Sequence, residues 1–272
     1  MDQFLHYFEH LNSLQKLGWI VGTMTFFWIL EGAFPAFKHN YKKWQHSRTN
    51  FVLLGTTILI NVLFGILALG VFQWVVTEQV GLLGMIELPV WAELVMGLML
   101  LDFVAQYGVH YLLHKFGPLW RFHMIHHSDT HVDVTTGTRH HPGDYVFREI
   151  FSLLAVVIGG IPFAFYMVYR ILTVLCTYFT HSNIALPDKL DKLLSNVIVT
   201  PNMHKFHHHF EQPWTDSNFG NILSIWDRIF GTFVYGDVTK VTYGLDVLND
   251  DKSENLSYQL KVPFDKDVKV GK

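Results

Sequence analysis

The sequence predicts an all-α integral membrane protein with about four transmembrane helices and a cytoplasmic, histidine-rich helical cap. Three observations predict this. Half of the 272 residues are apolar and only 16% are charged, against roughly 25% charged in an ordinary soluble domain. The apolar residues gather into runs at 17–37, 51–76, 88–113 and 150–179, each long enough to cross a hydrocarbon core about 30 Å thick. Of 17 histidines, 13 fall between His110 and His209. A net charge of −3 gives no reason to expect a nucleic-acid partner. The single cysteine, Cys176, leaves no intrachain disulfide and no cysteine-based metal site.

The elements follow in order. The N-terminus, MDQFLHYFEH, carries acids and no basic stretch, so it does not read as a cleaved signal peptide. The first apolar run ends near Glu31, which faces either the protein interior or the interface. The basic loop Lys38–Arg48, with Tyr41 and Trp44 as interface anchors, is expected on the cytoplasmic side. The second run leads to a loop holding Glu78 and Glu87 but no Lys or Arg, expected on the opposite side. The third run returns and delivers the first histidines. It carries Asp102, Gln106, His110 and His114, each four residues after the last and so near one helix face. The last run breaks at Gly159-Gly160-Ile161-Pro162. A helical hairpin there, spanning or re-entrant, keeps His127 and His181 on one side of the membrane.

The histidines form clusters of regular spacing. His110 and His114 are four apart. His123, His126 and His127 share the His-x-x-His-His spacing of His204, His207 and His208. Such spacings align side chains on one helix face, and imidazole binds iron, zinc, copper or nickel. With His181, nine candidates emerge, too many for one tetrahedral zinc and suited to two metals of higher coordination number. No Glu-x-x-His pair of the carboxylate-bridged bundles is present, nor a His-Glu-x-x-His zinc motif.

These histidine clusters, His181, the Arg139-His140-His141-Pro142 stretch and the Trp-Asp-Arg-Ile-Phe-Gly-Thr segment from Trp226 resemble the fatty acid hydroxylase/sterol desaturase superfamily, over roughly residues 94–234. The resemblance implies a membrane-embedded non-haem di-iron oxygenase whose site faces the cytoplasm. It implies two iron ions as cofactors, ligated by His110, His114, His123, His126, His127, His181, His204, His207 and His208. Asp102, Asp133, His141 and Asp227 become candidates for support behind those ligands. O₂ is the implied co-substrate, and a sterol or fatty acyl lipid of the membrane is hydroxylated or desaturated. The chain shows no flavin or nicotinamide fingerprint, so electrons are expected from a separate electron-transfer protein with its reductase. The doubled His140-His141 and the extra His209 depart from the family pattern and put the ligand register in question by one residue. A competing function is a non-redox metal transporter or sensor; it would place ligands along a membrane-crossing path, whereas most of these fall in expected cytoplasmic segments. The expected organisation is membrane helices over 1–92, a catalytic region over 93–240 that includes a membrane hairpin near 150–180, and a soluble tail over 241–272.

Overall fold

The computed structural model describes residues 1–38 and 41–269. The middle of the basic loop, His39 and Asn40, lies outside them. All regular structure among the described residues is helical, apart from isolated bridges such as Pro35 with Ile184. Helix α1 covers Asp2–Glu9, α2 Ser13–Ala33, α3 Lys43–Glu78, α4 Val90–Asp102, α5 Val109–Lys115 and α6 Gly117–His127. They are followed by α7 Pro142–Gly159, α8 Phe163–His181, α9 Asp188–Leu194, α10 Pro201–His207, α11 Ile225–Ile229 and α12 Leu256–Lys261.

Among the described residues, three segments are long and apolar enough to cross a membrane: Lys43–Met85, Val90–Lys115 and Phe163–His181. The expected first run is represented by α2, and the expected hairpin near 150–180 by α7 and α8. Helix α2 stops at Ala33, ahead of Pro35, so the apolar residues beyond it are lost to the helix and the polar turn Ser13–Lys16 is gained. Its start is fixed by a capping box in which Asn12 and Gln15 each accept the other's backbone N–H at 2.9 Å. Helix α7 carries Asp144, Arg148 and Glu149. It packs along α3, while α2 packs along α8. The outer surface of α3 is apolar and exposed at Leu59, Val62, Leu63, Ile66 and Leu69, as a lipid-facing helix requires.

The core between the helices holds Leu101, Ala105, Ala155, Val156 and Ile161, all fully buried. In a bilayer, where lipid is as apolar as leucine, tight packing rather than water exclusion holds such a core. The turn between α7 and α8 depends on close approach. Gly160 has φ +64° and Gly81 φ +114°, and a Cβ on Gly81 would fall 2.0 Å from the Gly160 nitrogen. Only glycine satisfies both demands. Glu31 ties the N-terminal helices to the histidine-rich end. It accepts from Lys43 Nζ at 2.6 Å, Val134 N at 3.0 Å and Asn183 N at 3.1 Å.

The C-terminal tail docks onto the same body. Leu245, Val262 and Val268 pack with Leu53, Trp120, Met124 and Ile125. Beside this patch lies a buried polar network. Arg139 donates to Ile125 O at 3.1 Å, to Asn50 Oδ1 at 3.0 Å, to Ser128 Oγ at 3.2 Å and to the carbonyl of Ser253 in the tail. His46 Nδ1 lies 2.9 Å from Glu254 Oε1, and Tyr41 donates to Asp133 at 2.5 Å. Burial alone would raise Asp133, yet hydrogen bonds and charge from His46, with Tyr41 and Thr135, hold it at about 2.

Candidate metal centre

Four helices deliver the histidines. Helix α5 brings His110 and His114, α6 brings His123, His126 and His127, the last residue of α8 is His181, and α10 brings His204 and His207, with His208 just beyond. The α6 and α10 positions use the same three-then-one spacing, so two short helices present matching sets of rings. The structure brings all nine sequence-predicted histidines together in two adjoining groups. One comprises His110, His114, His123, His127 and His207; the other His126, His181, His204 and His208. Within each group the ligand nitrogens lie within 4.8 Å of one another. The groups touch where the rings of His127 and His208 stand 4.7 Å apart.

Hydrogen bonds fix which nitrogen faces the centre. Nδ1 of His110 meets Phe219 O at 2.8 Å, and Nδ1 of His123 meets Asp144 Oδ2 at 3.0 Å. Nδ1 of His181 meets Thr177 O at 2.7 Å, and Nδ1 of His207 meets Ser217 O at 2.6 Å. His126 Nδ1 meets Arg139 O at 3.3 Å and His114 Nδ1 meets Asp216 Oδ1 at 3.2 Å. An acceptor on Nδ1 places the proton there and leaves Nε2 as a lone pair aimed at the shared centre. Accordingly Nε2 atoms crowd together: His110 and His123 at 3.0 Å, His126 and His181 at 3.1 Å, His181 and His204 at 3.0 Å.

The donor set fits metal ions. His207 Nε2 and both ring nitrogens of His127 and of His208 are buried with no hydrogen-bond partner among the described residues. Buried polar atoms rarely stay unpaired, and here they converge with other imidazoles. Burial pushes His123 down to about 4, and pushes His126, His127, His204, His207 and His208 well below their ordinary value. They are therefore neutral at pH 7, the form that ligates. Asp144 is fully buried, which would raise it, but Arg148, His123 and His140 hold it well below the usual carboxylate range.

Among the described residues the four support candidates make no direct hydrogen bond to a clustered histidine. Residues Phe103–Gly108 form a π-helical stretch that joins α4 to α5. Asp102 closes α4 just before this stretch. Asp102 accepts from the backbone of Ile222 and Leu223 and from Trp226 Nε1 at 2.9 Å. Asp227 accepts from Phe219 N at 2.7 Å and Gly220 N at 2.9 Å, and so braces the loop whose carbonyl holds His110. Asp133 belongs to the Arg139 and His46 network. His141 caps α7, its Nδ1 accepting from Gly143 N at 3.0 Å. The carboxylates that touch the clustered histidines are Asp144 and Asp216, which sequence reasoning missed. The spacing His140, Asp144, Arg148, each four apart, was the available signal for Asp144. Of the doubled pair, His140 lies on the centre, stacked on His126 at 4.8 Å. His209 turns away to Thr242.

A cavity of about 160 Å³ opens beside the centre, lined among others by His110, His126, His140, His181 and His204. Its far walls carry Ile20, Leu54, Ile58 and Val174 from α2, α3 and α8.

The sequence profile described as fatty acid hydroxylase matches residues 94–232. The chain is 30% identical over 145 residues to ornithine lipid hydroxylase OlsE of Rhizobium tropici, a match covering 53% of this chain and 43% of that protein. It is 32% identical over 143 residues to alkylglycerol monooxygenase of Danio rerio, covering 52% of this chain and 30% of the relative. The human alkylglycerol monooxygenase is 31% identical over 142 residues, covering 51% and 30%. The matches thus span less than half the length of these relatives. No solved structure matches the chain. With the profile covering both histidine groups and half of its length, the chain belongs to the fatty acid hydroxylase family.

Proposed function

We propose that this protein is a membrane-embedded non-haem di-iron oxygenase that uses O₂ to hydroxylate a C–H bond of a lipid, with its site facing the cytoplasm. The observation that carries the proposal is the pair of adjoining all-histidine groups opening on one cavity. Five and four neutral imidazoles suit two metals of intermediate softness. The nine histidines would hold two iron ions, which when bound supply the activation of O₂ and the oxidation of the C–H bond.

The chain's own residues supply the rest. Carbonyls of Phe219, Thr177 and Ser217 and the carboxylates of Asp144 and Asp216 orient the rings before any metal arrives. Burial of the rings excludes bulk water from the centre. The apolar wall of Ile20, Leu54, Ile58 and Val174 admits an alkyl chain from the bilayer side. The relatives' names speak for hydroxylation over desaturation of the same C–H position. A separate electron-transfer protein would supply the two electrons each turnover needs. The transporter or sensor reading is disfavoured, since the clustered nitrogens close into one buried centre rather than forming a path.

The test is mass spectrometry of lipids incubated with the protein, a reductant and ¹⁸O₂. The intact protein is expected to add one ¹⁸O to a lipid, and a His126→Ala, His207→Ala variant to add none. A lipid losing two hydrogens instead would replace hydroxylation by desaturation. No product from protein holding iron and supplied with reductant and bilayer lipids would refute the oxygenase reading.

A further inference from the structure

The cavity wall carries charged groups besides the histidines. Arg148 and Arg170 both line it, and Glu149 is the one carboxylate among the lining residues. Arg170 is fully engaged. It donates to Glu149 at 2.5 Å, Asn61 at 2.6 Å and Tyr145 at 3.1 Å. Glu149 is thereby neutralised. Arg148 differs. Its Nε donates to Asp144 Oδ1 at 3.0 Å, while its two terminal nitrogens have no hydrogen-bond partner among the described residues. Its side chain is only 13% exposed. A half-open guanidinium fork therefore stands in the cavity, on the same wall as His140.

The charge balance points the same way. Neutral imidazoles leave the charge of bound metal ions uncompensated. The second oxygen of Asp144 already serves His123 and His140. The cavity is thus a positive recess with an apolar side wall. A guanidinium presents two parallel donors that match the two oxygens of a carboxylate.

We propose that Arg148 is a positioning residue that grips a carboxylate of the lipid substrate beside the metal centre, so that the protein acts on an acidic lipid near its polar end. The proposal rests on the oxygenase reading and narrows its substrate class. The alkyl chain lies along Ile20, Leu54, Ile58 and Val174, and the acid group faces Arg148. An uncharged lipid of equal length fills the apolar wall but leaves the guanidinium unpaired.

Native mass spectrometry of the iron-loaded, full-length protein tests this without turnover, with palmitate and hexadecanol as probes. The intact protein should retain palmitate about tenfold more tightly than hexadecanol, the scale of a charge-assisted hydrogen bond. Arg148→Gln should erase that preference while leaving hexadecanol retention unchanged, and Arg148→Lys should restore part of it. Equal retention of both probes by the intact protein overturns the proposal, as does retention of neither. A parallel fall for both probes in Arg148→Gln, with iron content also falling, assigns Arg148 to bracing Asp144 and overturns it too. Because binding is read apart from oxygen insertion, missing ¹⁸O transfer counts against the oxygenase reading alone.

Discussion

The histidine core leaves nitrogens of His127, His207 and His208 unpaired, whereas the neighbouring network around Arg139 turns nearly every polar atom onto another. The two regions are in contact, since the carbonyl of Arg139 accepts from His126 Nδ1. Both are buried and both contain histidine. His46, Asp129 and Glu254 even form a cluster that could hold an ion. In that cluster, however, a guanidinium lies 3.9 Å from Glu254, Asp129 accepts from Thr136 Oγ1 at 2.7 Å, and Glu254 Oε2 is the sole side-chain atom left buried and unpaired. The contrast separates a site from a strut. Convergent lone pairs without donors await a cation, while a closed network of donors and acceptors fixes the tail to the body.

The largest effect should separate the two by metal content. His127→Ala and His208→Ala should each remove at least one iron, read by elemental analysis, with little change elsewhere in the fold. Arg139→Met should do the reverse. Leaving the buried acceptors Ile125 O, Asn50 Oδ1 and Ser128 Oγ without their donor costs about 1–3 kcal/mol each, visible as a lower Tm, while folded protein keeps its iron. If Arg139→Met instead strips the metal and spares the Tm, the division between site and strut fails.

A smaller effect is expected at Asp144→Asn. The amide still meets His123 but no longer favours its Nδ1–H form, and iron affinity should fall about 10–100-fold. Competition with a chelator measures this. The comparison is sharpened last by pH. In metal-free protein the core histidines stay neutral when folded, with His123 at about 4, while the unfolded chain takes up protons near 6.5. Unfolding therefore binds protons, and stability should fall as pH drops from about 6.5 to about 4. Asp133, held at about 2 against an ordinary 3.8, contributes stability that persists above about pH 4 and is lost only as pH falls through about 2. Thermal unfolding across pH should show the histidine loss first. A single loss confined below pH 4 would mean that the core histidines are not held neutral.

The clustered histidines were legible because most of them sit on short helices at spacings of three and four. Helical periodicity puts His123, His126 and His127 on one side of α6, and His204, His207 and His208 on one side of α10; tertiary packing brings the two sets together. What held them was less legible. The carbonyls of Phe219, Ser217 and Thr177 carry no sequence signature, and only tertiary folding brings them to a ring. The partners of Asp102, Ile222 N, Leu223 N and Trp226 Nε1, likewise reach it only through tertiary folding. His140 and His141 were exchanged because the start of α7 recruits His141 as a cap and leaves His140 on the cavity. Helix α2 ends at Ala33 rather than Phe37, because Pro35 follows. The charged tail hid the few apolar residues, Leu245, Val262 and Val268, that dock it.

The two adjoining histidine groups are proposed to hold two irons. The most direct measurement is iron quantification with X-ray absorption on anaerobically purified, full-length protein, beside a His127→Ala, His208→Ala double variant. The account predicts two irons per chain in a nitrogen-dominated shell, lost or halved in the variant. A single metal per chain, or two irons undisturbed by the double substitution, would contradict it.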